Sequence, residues 1–147
     1  MLDYPNKPIF IPVSFFDKSD LVVQALEELK RSGAWKGSIE ERKQKFRKLH
    51  KRLCEIYNIS VNLVFDIRKP YRFSGNSCYD VRSNTITLRG RFSVITYLHE
   101  FYHALQWHKE KQANEREAVL FSVSFFKHVF PDKFEKLMSK KHVLVKG

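Results

Sequence analysis

Apolar residues recur along the chain with two periods, one near 3.6 residues and one near 2, and the switch between them divides it into helices and strands. Leu21, Val22, Ala25, Leu26 and Leu29 recur at helical spacing behind a cap at Ser19 or Asp20, and Gly33 follows Lys30 and Arg31 as a stop. Ser38-Ile39-Glu40-Glu41 fits a capping box and opens a second helix with Phe46, Leu49, Leu53 and Ile56 as its apolar stripe. Val61 to Ile67, β-branched and apolar between Asn58-Ile59-Ser60 and Pro70, predicts a strand. Turn signals at Gly75-Asn76 and Ser83-Asn84 bracket a hairpin-like Tyr79 to Arg82, and Thr85 to Leu88 alternates as a short strand before Gly90. Ahead of all of these, Pro5 to Pro12 denies helical hydrogen bonding to Ile9, Phe10 and Ile11 and predicts an extended arm or edge strand.

The second half is helical. Ser93 caps a run to Lys109 in which Val94, Ile95, Leu98, Phe101, Tyr102 and Leu105 cover most sides, the pattern of a buried helix. Lys109 to Gln112 is a polar break, after which Ala118, Phe121, Phe125 and Val129 resume helical spacing. Pro131-Asp132 starts a short last helix through Phe134, Leu137 and Met138, with His142 to Gly147 as a loosely held tail. Helices, then strands, then helices predict an α+β fold.

At 147 residues, 43% hydrophobic and 14% aromatic, the chain suffices for one core, and residues 1–147 read as a single domain. Lysine and arginine outnumber acidic residues by 27 to 16, a net charge of +11 that favours nucleic acid or an acidic protein as partner. Much of it loads the second helix through Arg42, Lys43, Lys45, Arg47, Lys48, Lys51 and Arg52; the plain alternative is a solvated helix face. No aromatic interleaves with these charges on the exposed side, which argues against a stacking platform for single-stranded nucleic acid. The N-terminus lacks a signal-peptide pattern and no apolar run approaches the roughly 18 residues of a membrane span, so a cytoplasmic protein without membrane contact is expected. Cys54 and Cys78 are not spaced as a metal knuckle, and a reduced pair is expected.

Within the buried helix, His99-Glu100-Phe101-Tyr102-His103 matches H-E-x-x-H. Histidines four apart stand on one helical face, about 5–6 Å from each other, so both imidazoles can reach one metal ion. Glu100 sits beside that metal, where a carboxylate can take a proton from a water activated by it. Packing is the competing explanation, since buried helices also carry satisfied histidines. A catalytic zinc site takes three protein ligands, so a third must come from elsewhere. A short polar loop between two helices favours an antiparallel hairpin, which brings Asn114 to Ala118 back beside His103. Glu117 has a capping-box role with Asn114 as its own explanation. Glu115 shares a row with Ala118 and Ser122, whose small side chains let the helices approach, and it is the preferred ligand over Glu117. His128 and His142 reach only if the fold returns them, and His108 is too near His103. The longer pattern H-E-x-x-H-x-x-G-x-x-H fails at Gln106 and Lys109, which excludes a metzincin.

Tyr79 to Phe121 resembles a gluzincin metallopeptidase, most closely the ImmA/IrrE type. The resemblance rests on the strand Thr85 to Leu88, the lead-in Arg91-Phe92-Ser93, the H-E-x-x-H core, and Glu115, Ala118 and Phe121 spaced as E-x-x-A-x-x-F. It implies a zincin-like fold, a small sheet packed on the active-site helix with a ligand-bearing helix after it. It also implies that His99, His103 and Glu115 bind zinc, that Glu100 activates the water, and that the strand before the helix lines a cleft for an extended peptide. The substrate implied is a protein, in such families often a regulatory repressor. A second resemblance, to SprT-like proteases acting on proteins crosslinked to DNA, suits the basic charge but needs a histidine such as His128 as third ligand. The remaining competitor is a zincin-like binding module without catalysis. For the oxyanion donor, Tyr71, Tyr79, His108, His128 and His142 stay open.

Overall fold

The computed structural model describes residues 18–67 and 76–146, with side chains described as far as Ser139. The Pro5 to Pro12 arm, Tyr71 and Gly75 lie outside these residues, as do Gly147 and the side chain of His142.

Among the described residues five helices and a three-stranded sheet form an α+β fold. Helix α1, Ser19–Ser32, buries Val22, Ala25, Leu26 and Leu29, but Leu21 is 40% exposed and falls outside the stripe. Its N-cap is Lys18 rather than Ser19 or Asp20, and no side chain caps it. Lys18 instead extends its ammonium to the Ile56 carbonyl at 2.9 Å, joining the start of α1 to the end of α2. Gly33 ends α1 at φ 76°, a left-handed conformation natural to glycine.

Helix α2, Ile39–Tyr57, begins with the capping box of Ser38 and Glu41 and buries Phe46, Leu49, Leu53 and Ile56, together with His50 and Tyr57. Several of its basic residues serve the fold. Lys45 donates to the Gly33 and Lys36 carbonyls, Arg42 to the Gly37 carbonyl, and Lys43 pairs with Glu40. The Arg47 guanidinium lies over the Phe65 ring, leaving Lys48, Lys51 and Arg52 as the exposed charged face.

Strands β1 (Asn62–Asp66), β2 (Cys78–Asp80) and β3 (Thr85–Arg89) are ordered β1-β3-β2, with β1 parallel and β2 antiparallel to β3. Ile86 and Leu88 of β3 turn inward and are fully buried, while Thr85, Thr87 and Arg89 alternate to the other face. Asn84, at φ 53°, ends the β2–β3 turn and ties it down: its side chain accepts from the Tyr79 hydroxyl at 2.8 Å and donates to the Ser60 carbonyl at 2.6 Å.

Beneath the sheet runs α3, Val94–Glu110, capped by Ser93, whose hydroxyl accepts from the Thr96 amide. Tyr97, Phe101, Phe46 and Phe92 meet in an aromatic cluster with ring centroids 5.5–6.2 Å apart, pinning α3 against α2. Lys111 turns left-handed at φ 57° and starts the loop to α4, Glu115–Val129, which lies along α3. The last helix, α5, spans Pro131–Lys146 and is longer than its apolar pattern predicts. No helix among the described residues is long and apolar enough to cross a membrane.

Candidate metal centre

The α3–α4 hairpin carries the start of α4 back to the middle of α3, and Glu115, the first residue of α4, meets both histidines. His99 Nε2 lies 3.0 Å from Glu115 Oε2, His103 Nε2 lies 2.6 Å from Glu115 Oε1, and the two Nε2 atoms are 3.2 Å apart. Two imidazole nitrogens and a carboxylate thus converge, one ligand-type atom from each residue lying within 4.8 Å of the others, although the sequence separates Glu115 from the histidines. A tetrahedral zinc ion with bonds of 2.0–2.2 Å sets neighbouring donor atoms roughly 3.3–3.6 Å apart, and the 3.2 Å between the two imidazole nitrogens is close to that spacing.

Protonation favours the same use. Burial lowers the His99 pKa, against the opposing pull of Glu115, and so favours the neutral imidazole. Burial pushes Glu115 upward, but His99 and His103 outweigh it and its pKa falls below the ordinary value. A neutral imidazole and an ionised carboxylate are the forms that bind metal.

Gln106 holds His103. It is fully buried, and its Oε1 lies 3.0 Å from His103 Nδ1. A carbonyl oxygen only accepts, so Nδ1 carries the proton and the Nε2 lone pair faces Glu115 and His99. The same oxygen accepts from the Asn114 amide at 3.2 Å, and Gln106 Nε2 donates to the Asn114 carbonyl at 3.2 Å and to Glu117 Oε2 at 3.1 Å. The signal in the sequence was a glutamine on an otherwise apolar helix, three residues after a histidine and hence on its face.

Glu117, the competing ligand, points away from the histidines into this network, where it also takes the Tyr102 hydroxyl at 3.5 Å. Its capping box with Asn114 has one arm only: Asn114 Oδ1 accepts the Glu117 amide at 3.1 Å, while the Asn114 amide goes to Gln106. His128 is exposed thirteen residues beyond Glu115 on α4, about 20 Å along the axis. It takes no part in the triad.

Glu100 faces the same place from its own side of α3. Its Oε1 accepts the Tyr79 amide of β2 at 3.1 Å, and burial raises its pKa, with His103 and the Tyr79 amide acting in the opposite direction. Beside it opens a cleft of about 630 Å³ that His99, Glu100 and Glu115 all line. The cleft-lining role expected of the strand before the active helix is divided. β3 is the middle strand, with one edge on β1 and the other on β2, and reaches the cleft only through Arg89 at its end. The strand edge beside Glu100 belongs to β2, whose Tyr79 amide turns away from β3.

Among the described oxyanion candidates none lines the cleft. The Tyr79 hydroxyl and His108 Nε2 both donate to Asn84 Oδ1, at 2.8 and 2.9 Å, and brace the hairpin against α3. The donors that do line it are Arg89, Arg91, Ser93, Thr96, Asn76 and Ser77. No family model, curated protein or solved structure matches this chain.

Proposed function

We propose that the chain is a zinc-dependent peptidase of zincin-like, gluzincin type, hydrolysing peptide bonds of a protein substrate. The observation that carries this reading is the convergence of Glu115 with His99 and His103, with Glu100 facing the same cleft but outside the ligand set. A metal used only for structure has no need of the carboxylate at Glu100.

His99, His103 and Glu115 would hold the zinc, which when bound polarises a carbonyl and makes a water more acidic. Glu100 would accept the water proton and deliver it to the leaving amine, and burial, which raises its pKa, favours the first of these transfers. The Tyr79 amide fixes the carboxylate that does this, and Gln106 keeps His103 in the ligating tautomer. The substrate proposed is a regulatory protein such as a repressor, following the ImmA/IrrE resemblance, and cytoplasmic action belongs to the same proposal.

The SprT-like alternative loses support from the position of His128. A binding module for nucleic acid or an acidic protein draws on the net charge of +11. The use of Arg42, Lys43 and Lys45 in caps and local pairs weakens it.

Metal analysis of the purified protein, with a cleavage assay on wild type and Glu100→Gln, tests the reading. One zinc per chain in both proteins is expected, with cleavage reduced by roughly 10²–10⁴-fold in the variant. Absence of stoichiometric zinc, or cleavage that survives Glu100→Gln, would sink it.

A further inference from the structure

The cleft has a second chemical character that water activation leaves unused. Arg89 and Arg91 line it with Asn76, Ser77, Ser93 and Thr96, so away from Glu100 and Glu115 its wall holds hydrogen-bonding groups and two permanent positive charges. The two glutamates are engaged, Glu115 by the histidines and Glu100 by the Tyr79 amide. Neither guanidinium has an ion pair or side-chain hydrogen bond among the described residues, and Arg89 Nε is buried without a partner.

Chain geometry brings the pair together. Arg89 ends β3, Gly90 turns at φ 77° with its amide on the Asp66 carbonyl at 3.0 Å, and the Arg91 amide bonds back to the Arg89 carbonyl at 2.9 Å. Both arginines thus stand where the sheet passes into the active helix, on the rim next to His99 and Glu100. An unpaired donor is costly, and the planar fork of arginine is matched best by a carboxylate.

Resting on the peptidase reading, we propose that this rim is a substrate subsite for a carboxylate, which selects substrates carrying one close to the scissile bond. An aspartate or glutamate side chain and the free C-terminus of a peptide present the same group.

Four fluorescein-labelled octapeptides separate these sources: a central glutamate pair or glutamine pair, each with a free or an amidated C-terminus. Fluorescence anisotropy with the zinc-loaded protein in a Glu100→Gln background, which holds zinc but cleaves little, reads their binding. The amidated glutamate peptide is expected to bind at least about tenfold tighter than its glutamine counterpart. The Arg89→Gln/Arg91→Gln double variant loses this preference. A control double variant on the exposed face of α2, Lys48→Gln/Arg52→Gln, keeps it. If the free C-terminus carries the preference instead, the carboxylate subsite stands and its occupant is the chain end. Equal binding of all four peptides, or equal loss of preference in both double variants, overturns the subsite and leaves only general attraction to a basic surface. If Arg89→Gln disturbs β3, Arg91→Gln at an exposed position carries the comparison alone. Binding is read apart from turnover, so absent Glu100-dependent cleavage counts against the peptidase reading alone, and cleavage without carboxylate preference counts against the subsite alone.

Discussion

Gln106 Oε1 stands 3.0 Å from His103 Nδ1 and 3.2 Å from the Asn114 amide, so one buried side chain orients the His103 ring on α3 and holds the start of α4 that supplies Glu115. Replacing it with methionine keeps the volume and removes both bonds. Outer partners of metal-binding histidines are worth roughly 10–100-fold in metal affinity, and a fall of that size is expected in a zinc competition titration. An unchanged affinity would show that His103 needs no such support. Loss of global stability by about 1–3 kcal/mol is expected alongside, because the Asn114 and Glu117 partners are left unmatched.

The two glutamates of the α4 first turn should behave differently. Glu115→Ala removes a proposed ligand and is expected to lower zinc affinity by more than about 100-fold, beyond the range of an outer partner. Glu117→Gln keeps an acceptor for Gln106 and should change affinity by no more than about threefold. The same titration reads both, and a reversed order would assign the metal to Glu117.

Asn114 links the cap of α4 to the site. Its side chain accepts the Glu117 amide at 3.1 Å, and Asn114→Ala should cost about 1 kcal/mol in urea unfolding. Fraying of that turn also frees Glu115, its first residue, so zinc affinity should fall in parallel. A stability loss with zinc affinity intact would mean that Glu115 is positioned by the hairpin alone.

His50, which is not part of the candidate metal centre, gives a pH dependence of its own. Its Nε2 donates to the Val61 carbonyl at 2.6 Å, which leaves Nδ1 to accept the Tyr97 hydroxyl at 2.7 Å, and both bonds suit the neutral ring. Burial lowers its pKa below 6.5, against the opposing effect of the Val61 bond. The unfolded chain therefore takes up a proton first as pH falls. This contribution to stability is intact above the unfolded pKa and is lost as pH drops from there through the folded value. Urea unfolding of wild type at pH 7.5 and 5.5 should show a larger loss on acidification than His50→Gln. Equal losses would show that His50 is not the group responsible.

Elements governed by neighbours in the chain were legible before any fold was known. The capping box at Ser38 and Glu41, the Ser93 cap, the stripe Phe46, Leu49, Leu53 and Ile56, and the helical face shared by His99 and His103 all depend on contacts within four residues. Helix geometry alone sets these. Even there the pattern misplaced Leu21, because a helical stripe gives a direction but not the width of the surface that covers it.

Other features waited for the tertiary structure because they depend on how distant segments approach. The α3–α4 hairpin decides that Glu115 meets the histidines while Glu117 turns to Gln106 and Tyr102, a choice that two nearby glutamates cannot reveal in sequence. Strand order decides that β3 is central and that β2 gives Glu100 its Tyr79 amide, since an alternating pattern does not say which strand lies in the middle. Chain-local spacing determined that two histidines and a carboxylate could serve a metal; the packing of α4 and β2 against α3 decided which partners complete them, because those contacts join residues 12 to 21 positions apart.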